Sequence, residues 1–98
     1  MRRAYVAAYD ISDPRRLRRV YRIMMGHGDP LQLSVFLCHL SDVERELLVD
    51  SLMEAMDPAA DSVMFIDVGS SARPVKEWIK VIGKLRTSVQ DVPRFYVV

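Results

Sequence analysis

Asp10 closes the apolar run Tyr5-Val6-Ala7-Ala8-Tyr9, and Asp13 follows three residues later, immediately before Pro14. A carboxylate just past a central strand sits at the rim of its sheet, where loops and helix N-termini gather. Asp13 has an evident local duty, since Asp-Pro reads as the cap and first position of a helix. Asp10 has no duty as obvious, beyond a turn-stabilising hydrogen bond from the Ser12 N–H. If Asp10 acts chemically, holding a hard cation fits best. Mg2+, or Mn2+ in its place, takes one or two carboxylates and fills its shell with waters and substrate phosphates. Asp10 is thus the candidate catalytic and metal-binding residue. One aspartate per chain makes a sparse site, and a two-fold axis passing nearby would bring two together.

No other set of side chains competes. His27 lies in a Gly-His-Gly turn and His39 at a strand end, without the spacing of a zinc site. Ser34 lacks the glycines of a nucleophile elbow. Cys38, inside an apolar run, reads as a small core residue. Gly26-x-Gly28 ends a helix and no helix starts directly behind it, so it is not a phosphate cradle. The methionines, among them Met24, Met25, Met53 and Met56, read as core filling.

A second chemistry is suggested by arginine spacing. At about 100° per residue, Leu17, Val20, Tyr21 and Met24 share one side of a helix while Arg15, Arg18, Arg19 and Arg22 share the other. Like charges at these intervals weaken a helix unless something offsets them. A solvated surface is one reading of this face. The other is a contact for a phosphate backbone, to which arginine offers bidentate hydrogen bonds. These four arginines are the candidate nucleic-acid-binding residues.

The elements that must position these groups follow from pattern. Residues 4 to 9 are apolar at odd and even positions alike, as in a strand buried on both faces. A helix follows from Asp13-Pro14 to Gly26 or Gly28. Residues 31–39 supply one long strand, or two short ones if the chain turns within them. Ser41-Asp42-Val43-Glu44 is a capping box opening a second helix, with Leu48, Leu52, Ala55 and Met56 inward and Glu46, Asp50 and Glu54 outward. That acidic face reads as solubilising, or as a seat for a basic partner protein. Residues 62–68 form a further strand, Gly69 to Pro74 a polar loop, residues 78–82 another strand, and Phe95 to Val98 one more. This order predicts an α+β sheet with both helices on one face, the ferredoxin-like β-α-β-β-α-β arrangement with an additional C-terminal strand. Residues 1–83 make the core domain and residues 84–98 a tail that clasps a partner or adds an edge strand.

Ninety-eight residues, half of them apolar, allow one small core, which copies of such a chain often extend by pairing. One cysteine excludes an internal disulfide framework and a multi-cysteine metal cage. The run behind Arg2 and Arg3 is too short for a signal peptide, and no later run approaches a membrane span, so a cytoplasmic setting with no membrane contact is expected. The net charge of +1 hides segregation. Residues 1–28 carry seven arginines against Asp10 and Asp13, whereas residues 41–67 carry eight acids against Arg45. One surface can therefore be strongly positive in a nearly neutral protein.

Taken together, YDISDPRRLRRVYRIM after an apolar strand, LQLSVFLCHLSD, DPAADSVMFIDV and WIKVIGK resemble the CRISPR-associated protein 2 family over roughly residues 4 to 83. The more specific elements are Tyr9-Asp10 with Asp13, Gln32-x-Ser34-Val35-Phe36, Asp61-Ser62-Val63 and Val81-Ile82-Gly83. The resemblance implies a ferredoxin-like homodimer whose sheets meet face to face, with the late strand adding to the partner's sheet. It implies that Asp10 is the aspartate at the dimer axis, proposed to hold Mg2+ in members reported to cut RNA or DNA. It further implies a partner, the CRISPR-associated protein 1 integrase, and a duplex supported during spacer acquisition in a role thought not to need cutting. One departure is Leu37, where many relatives carry a polar residue.

Three functions are weighed on sequence, and the expected one is the dimeric nucleic-acid-binding adaptor of spacer acquisition, with any metal-dependent cutting attached to Asp10. The first is a metal-dependent endonuclease with paired Asp10 residues, acting on duplex DNA or single-stranded RNA. The second is a non-catalytic DNA-binding adaptor that relies on the arginine face. The third is a toxin-like endoribonuclease of the same fold outside a CRISPR system. An RNA-recognition module is disfavoured, because SVMFIDV lacks the glycine-spaced aromatics that stack bases.

Overall fold

The computed structural model describes residues 1–85 together with the backbone of residues 94–95. Its elements are β1 (Arg3–Asp10), α1 (Pro14–Met25), β2 (Asp29–Gln32), β3 (Val35–Leu40), α2 (Asp42–Ala55), β4 (Ser62–Ser70), a 3-10 turn (Val75–Glu77), β5 (Val81–Ile82) and β6 (Arg94–Phe95). The main sheet has strand order β2-β3-β1-β4 with every neighbouring pair antiparallel. That is the ferredoxin-like order expected from the α+β pattern.

β1 is central, flanked by β3 and β4, which explains its apolar residues on both faces. Tyr5, Ala7 and Tyr9 turn toward the helices and pack with Phe36, Cys38 and Leu40 of β3, Val20 and Met24 of α1, and Leu48, Leu52 and Ala55 of α2. Both helices thus cover one face. The opposite face takes Ala4, Val6 and Ala8, and is partly covered by the chain after β4, where Trp78, Ile79, Val81 and Leu85 pack near Leu31 and Leu37. Leu37 is buried in that second cluster, so a polar residue there would lose its hydration.

Local signals account for most boundaries. Asp13 caps α1 by accepting from the N–H groups of Arg15 and Arg16, each at 3.0 Å. The Ser41 and Glu44 capping box is complete at α2. The 31–39 run divides into two strands, because the chain turns at Leu33-Ser34 to form a hairpin that starts as early as Asp29. β4 runs two residues past the expected end and contains a bulge: Ala4 pairs with Gly69 but Tyr5 with Asp67, which leaves Val68 as the extra residue. Gly69 has φ of 108°, a conformation that a bulge uses and that favours glycine.

The expected strand over 78–82 needs correction. Only Val81–Ile82 is strand; Trp78 ends the 3-10 turn, its N–H bonded to the Val75 carbonyl at 3.1 Å. The apolar character of this stretch comes from covering the sheet face. β5 pairs in parallel with β6, which places part of the expected terminal strand at Arg94–Phe95. Residues 96–98 of that strand, and most of the expected tail, lie outside the described residues. Two methionines read as core are exposed, Met25 at the end of α1 and Met53 on the outside of α2.

Candidate functional site

Three aspartates converge where β1 ends, α1 begins and β4 starts, and their environments differ sharply. The side chain of Asp61, just before β4, is fully buried, and it accepts five hydrogen bonds. The donors are Arg16 Nε at 2.7 Å and Nη2 at 3.3 Å, the Ser12 N–H and Oγ at 3.0 Å each, and the Asp57 N–H at 2.9 Å. The Arg16 guanidinium, with these N–H donors, holds the Asp61 carboxyl far below the usual carboxylate range. The loop after Asp10 is thereby tied to the start of β4. Asp13 is occupied with its cap, and those backbone N–H groups lower its pKa as well.

Asp10 stands apart from both. It is exposed, opposite Ser62 on the ladder, and alternation along β1 puts it on the face of Val6 and Ala8, away from the helices. The turn-stabilising bond expected between Asp10 and the Ser12 N–H is absent; Asp61 takes that N–H. Among the described residues no hydrogen bond or ion pair engages the Asp10 carboxylate.

At the end of its strand Asp10 borders a groove of about 680 Å³ between the end of β1, α1 and the β2–β3 turn. Arg18 and Arg22 line it, along with Leu17, Tyr21, Leu33 and Ser34. Two of the four arginines expected to contact nucleic acid therefore share a groove with the aspartate, while Arg15 and Arg19 are exposed on α1 outside it. None of the four forms an ion pair with a described residue; Arg16 alone on α1 does, with Asp61. Leu17 and Tyr21, expected on the core side of α1, are 40% and 41% exposed. They sit at the edge of the apolar stripe whose centre, Val20 and Met24, is buried, and that edge faces the groove.

The groove's far wall is held from within the core. Tyr9, whose pKa burial raises, donates its hydroxyl to the Leu33 carbonyl at 3.1 Å, and its N–H bonds the Ser34 carbonyl at 3.0 Å. Its ring stacks against Phe36, and Phe36 meets Tyr21 edge to face with centroids 5.9 Å apart.

The remaining candidates have structural roles. Cys38 is buried, and burial pushes its thiol up to about 11, the opposite of an activated nucleophile. His27 Nδ1 donates to the Ile23 carbonyl at 2.8 Å, and His39 Nδ1 pairs with Ser71 Oγ at 2.8 Å. Among the described residues no three His, Cys, Asp or Glu side chains gather as a metal site. Among the described residues this rim offers a cation Asp10 alone, so this donor set fits Mg2+ only as half of a site completed by a second copy, water and phosphate.

Comparison with known proteins agrees with this fold. The family model described as CRISPR associated protein Cas2 matches residues 3–73. A CRISPR-associated endoribonuclease Cas2 of Rhodospirillum rubrum is 41% identical over 81 residues, which span 83% of this chain and 78% of that protein. Another, from Geobacter sulfurreducens, is 38% identical over 84 residues, spanning 86% and 87%. The crystal structure of Streptococcus pyogenes Cas2 at pH 6.5 superposes with a TM-score of 0.60 at 28% identity, covering 64% of this chain and 82% of that one. These likenesses do not favour the toxin-like alternative. With its strand order and these relatives, the chain belongs to the CRISPR associated protein Cas2 family.

Proposed function

We propose that this protein is a dimeric, Mg2+-dependent endoribonuclease of a CRISPR system, cutting phosphodiester bonds at a site that Asp10 shares with the same residue of a second copy. The observation that carries this reading is the free Asp10 carboxylate. Asp61 is fully engaged and Asp13 Oδ2 is occupied by its cap, so Asp10 is the acid at this rim with no partner among the described residues, left to bind a cation. Mg2+, or Mn2+, held there by Asp10 would supply Lewis acidity toward the phosphoryl oxygens and a lowered water pKa that provides hydroxide as the nucleophile. The chain's own part is to hold that ion with Asp10, to hold the adjacent phosphates with Arg18 and Arg22, and to fix the loop through Asp61.

The second copy is supported by the face on which Asp10 lies. Met64 and Ile66 are 59% and 49% exposed there. Pairing sheet to sheet buries the apolar side chains and brings the two aspartates toward one axis.

A second role is favoured by Arg15 and Arg19, which extend the positive surface beyond the groove. They suit the backbone of a duplex, as an adaptor beside the CRISPR-associated protein 1 integrase requires. The test is cleavage of labelled single-stranded RNA and duplex DNA, with Mg2+ titrated, by wild type and by Asp10→Ala. The expected result is metal-dependent cutting that disappears in the variant; cutting that survives the substitution would overturn the catalytic reading. Charge reversal at Arg15 and Arg19 is expected to weaken duplex binding and flatten its salt dependence while RNA cutting persists.

A further inference from the structure

Leu33 is 68% exposed at the tip of a two-residue hairpin turn, a place where polar residues are ordinary. Its backbone is nonetheless pinned by the Tyr9 hydroxyl, so the exposed leucine is held in one place over the groove. Across from it stand Leu17 and Tyr21, both partly exposed on a helix whose central apolar residues are fully buried. The result is an apolar slot with two cationic side chains, Arg18 and Arg22, at its rim and Asp10 at its mouth. Its volume of about 680 Å³ falls within the range of roughly 300–1,000 Å³ typical of sites for small ligands.

An apolar slot rimmed by unpaired arginines selects a ligand that is flat and apolar at one end and anionic at the other. A base joined to its phosphates has that form. A paired base does not, because its faces are stacked within the duplex and cannot enter a slot. We infer that this groove is a base-binding subsite, in which Tyr21 and Leu33 clasp one unpaired base of the strand while Arg18 and Arg22 hold its phosphates beside Asp10. Stacking on an aromatic ring tolerates any base, so the subsite selects unpaired nucleotides with little preference for sequence. Tyr21 and Leu33 are positioning residues: they set which phosphodiester reaches the aspartate. This inference rests on the nuclease reading for its consequence, but the binding it describes can be measured without cutting.

The experiment is fluorescence anisotropy of a labelled short single-stranded RNA in metal-free buffer, against wild type, Tyr21→Leu and Leu33→Ser. An RNA of equal length carrying abasic positions is run beside it. Tyr21→Leu and Leu33→Ser are expected to weaken binding of the intact RNA about tenfold or more. Wild type is expected to bind the abasic RNA as weakly as the variants do, and the variants to lose nothing further on it. Arg18→Gln with Arg22→Gln is expected to weaken binding of both RNAs alike. Intact RNA bound equally by wild type, Tyr21→Leu and Leu33→Ser would overturn the subsite, as would Tyr21→Leu and Leu33→Ser weakening intact and abasic RNA by the same factor. Leu33→Ser removes no core contact, so it decides the matter if Tyr21→Leu loosens the packing on Phe36. Should wild type fail to cut RNA while these binding differences stand, only the catalytic reading falls; should cutting stand without them, only the subsite does.

Discussion

Asp10, Asp13 and Asp61 show how neighbours decide what one kind of side chain does. Asp61 is a buried acceptor of five hydrogen bonds, Asp13 is a cap, and Asp10 is left to solvent and to whatever cation or partner arrives. Asp13 was legible from its place before Pro14, because capping is local. The role of Asp61 was not, since its donors Ser12 and Arg16 lie 49 and 45 residues away in sequence. Likewise the periodicity that put Leu17 and Tyr21 with Val20 and Met24 identifies a stripe but not where the covering protein stops. The pH dependence of stability follows from the depressed carboxyls. The Glu44 carboxyl, bonded by Arg2 and by the Ser41 N–H, is lowered to about 2, and Asp61 is lowered in the same direction. Both groups bind protons more readily in the unfolded chain, so their stabilisation is complete above the unfolded carboxyl range of about 4 and is lost as pH falls toward their folded values. Asp61→Asn is therefore expected to lower the thermal midpoint by several degrees at neutral pH and to flatten its decline below about pH 4. Thermal melts across that range check both features; a variant that melts like wild type at neutral pH would remove Asp61 as the tether of the site loop.

At the scale of elements, what could be read was what the chain signals locally: proline and aspartate at the start of α1, the capping box of α2, and the doubly apolar β1. What could not be read depended on where a segment packs. The run from Trp78 to Ile82 has a strand's composition, but Trp78 and Ile79 are spent on covering the sheet face, which leaves two residues to pair. Whether residues 31–39 were one strand or two was settled at Leu33-Ser34, and that turn also builds the wall of the groove. Gly28 shows a constraint that sequence alone did not disclose. A Cβ there would stand 2.6 Å from both the Leu37 carbonyl oxygen and Cys38 Sγ, so the connection from α1 to β2 passes β3 only as glycine. Gly28→Ala is expected to destabilise the fold by about 1–3 kcal/mol through this overpacking, measured by denaturant unfolding. A change near zero would mean that β3 yields to the methyl group.

For the whole molecule, the proposed cation site draws one carboxylate from each of two copies. Asp10 projects from the sheet face that carries exposed Met64 and Ile66, while the arginines of α1 line the groove from the other side of the rim. The segregated charge was visible in the sequence. That Arg18 and Arg22 stand in the same groove as Asp10 was not, because it depends on how α1 lies against the end of β1. Among the described residues no helix is long and apolar enough to cross a membrane. The most direct test of a shared site is to unfold and refold wild type and Asp10→Ala together in varying proportion and to record Mg2+-dependent RNA cleavage. Activity is expected to fall with the square of the wild-type fraction, since only pairs with two aspartates are competent. A fall in simple proportion, or cutting that does not depend on Asp10, would contradict it.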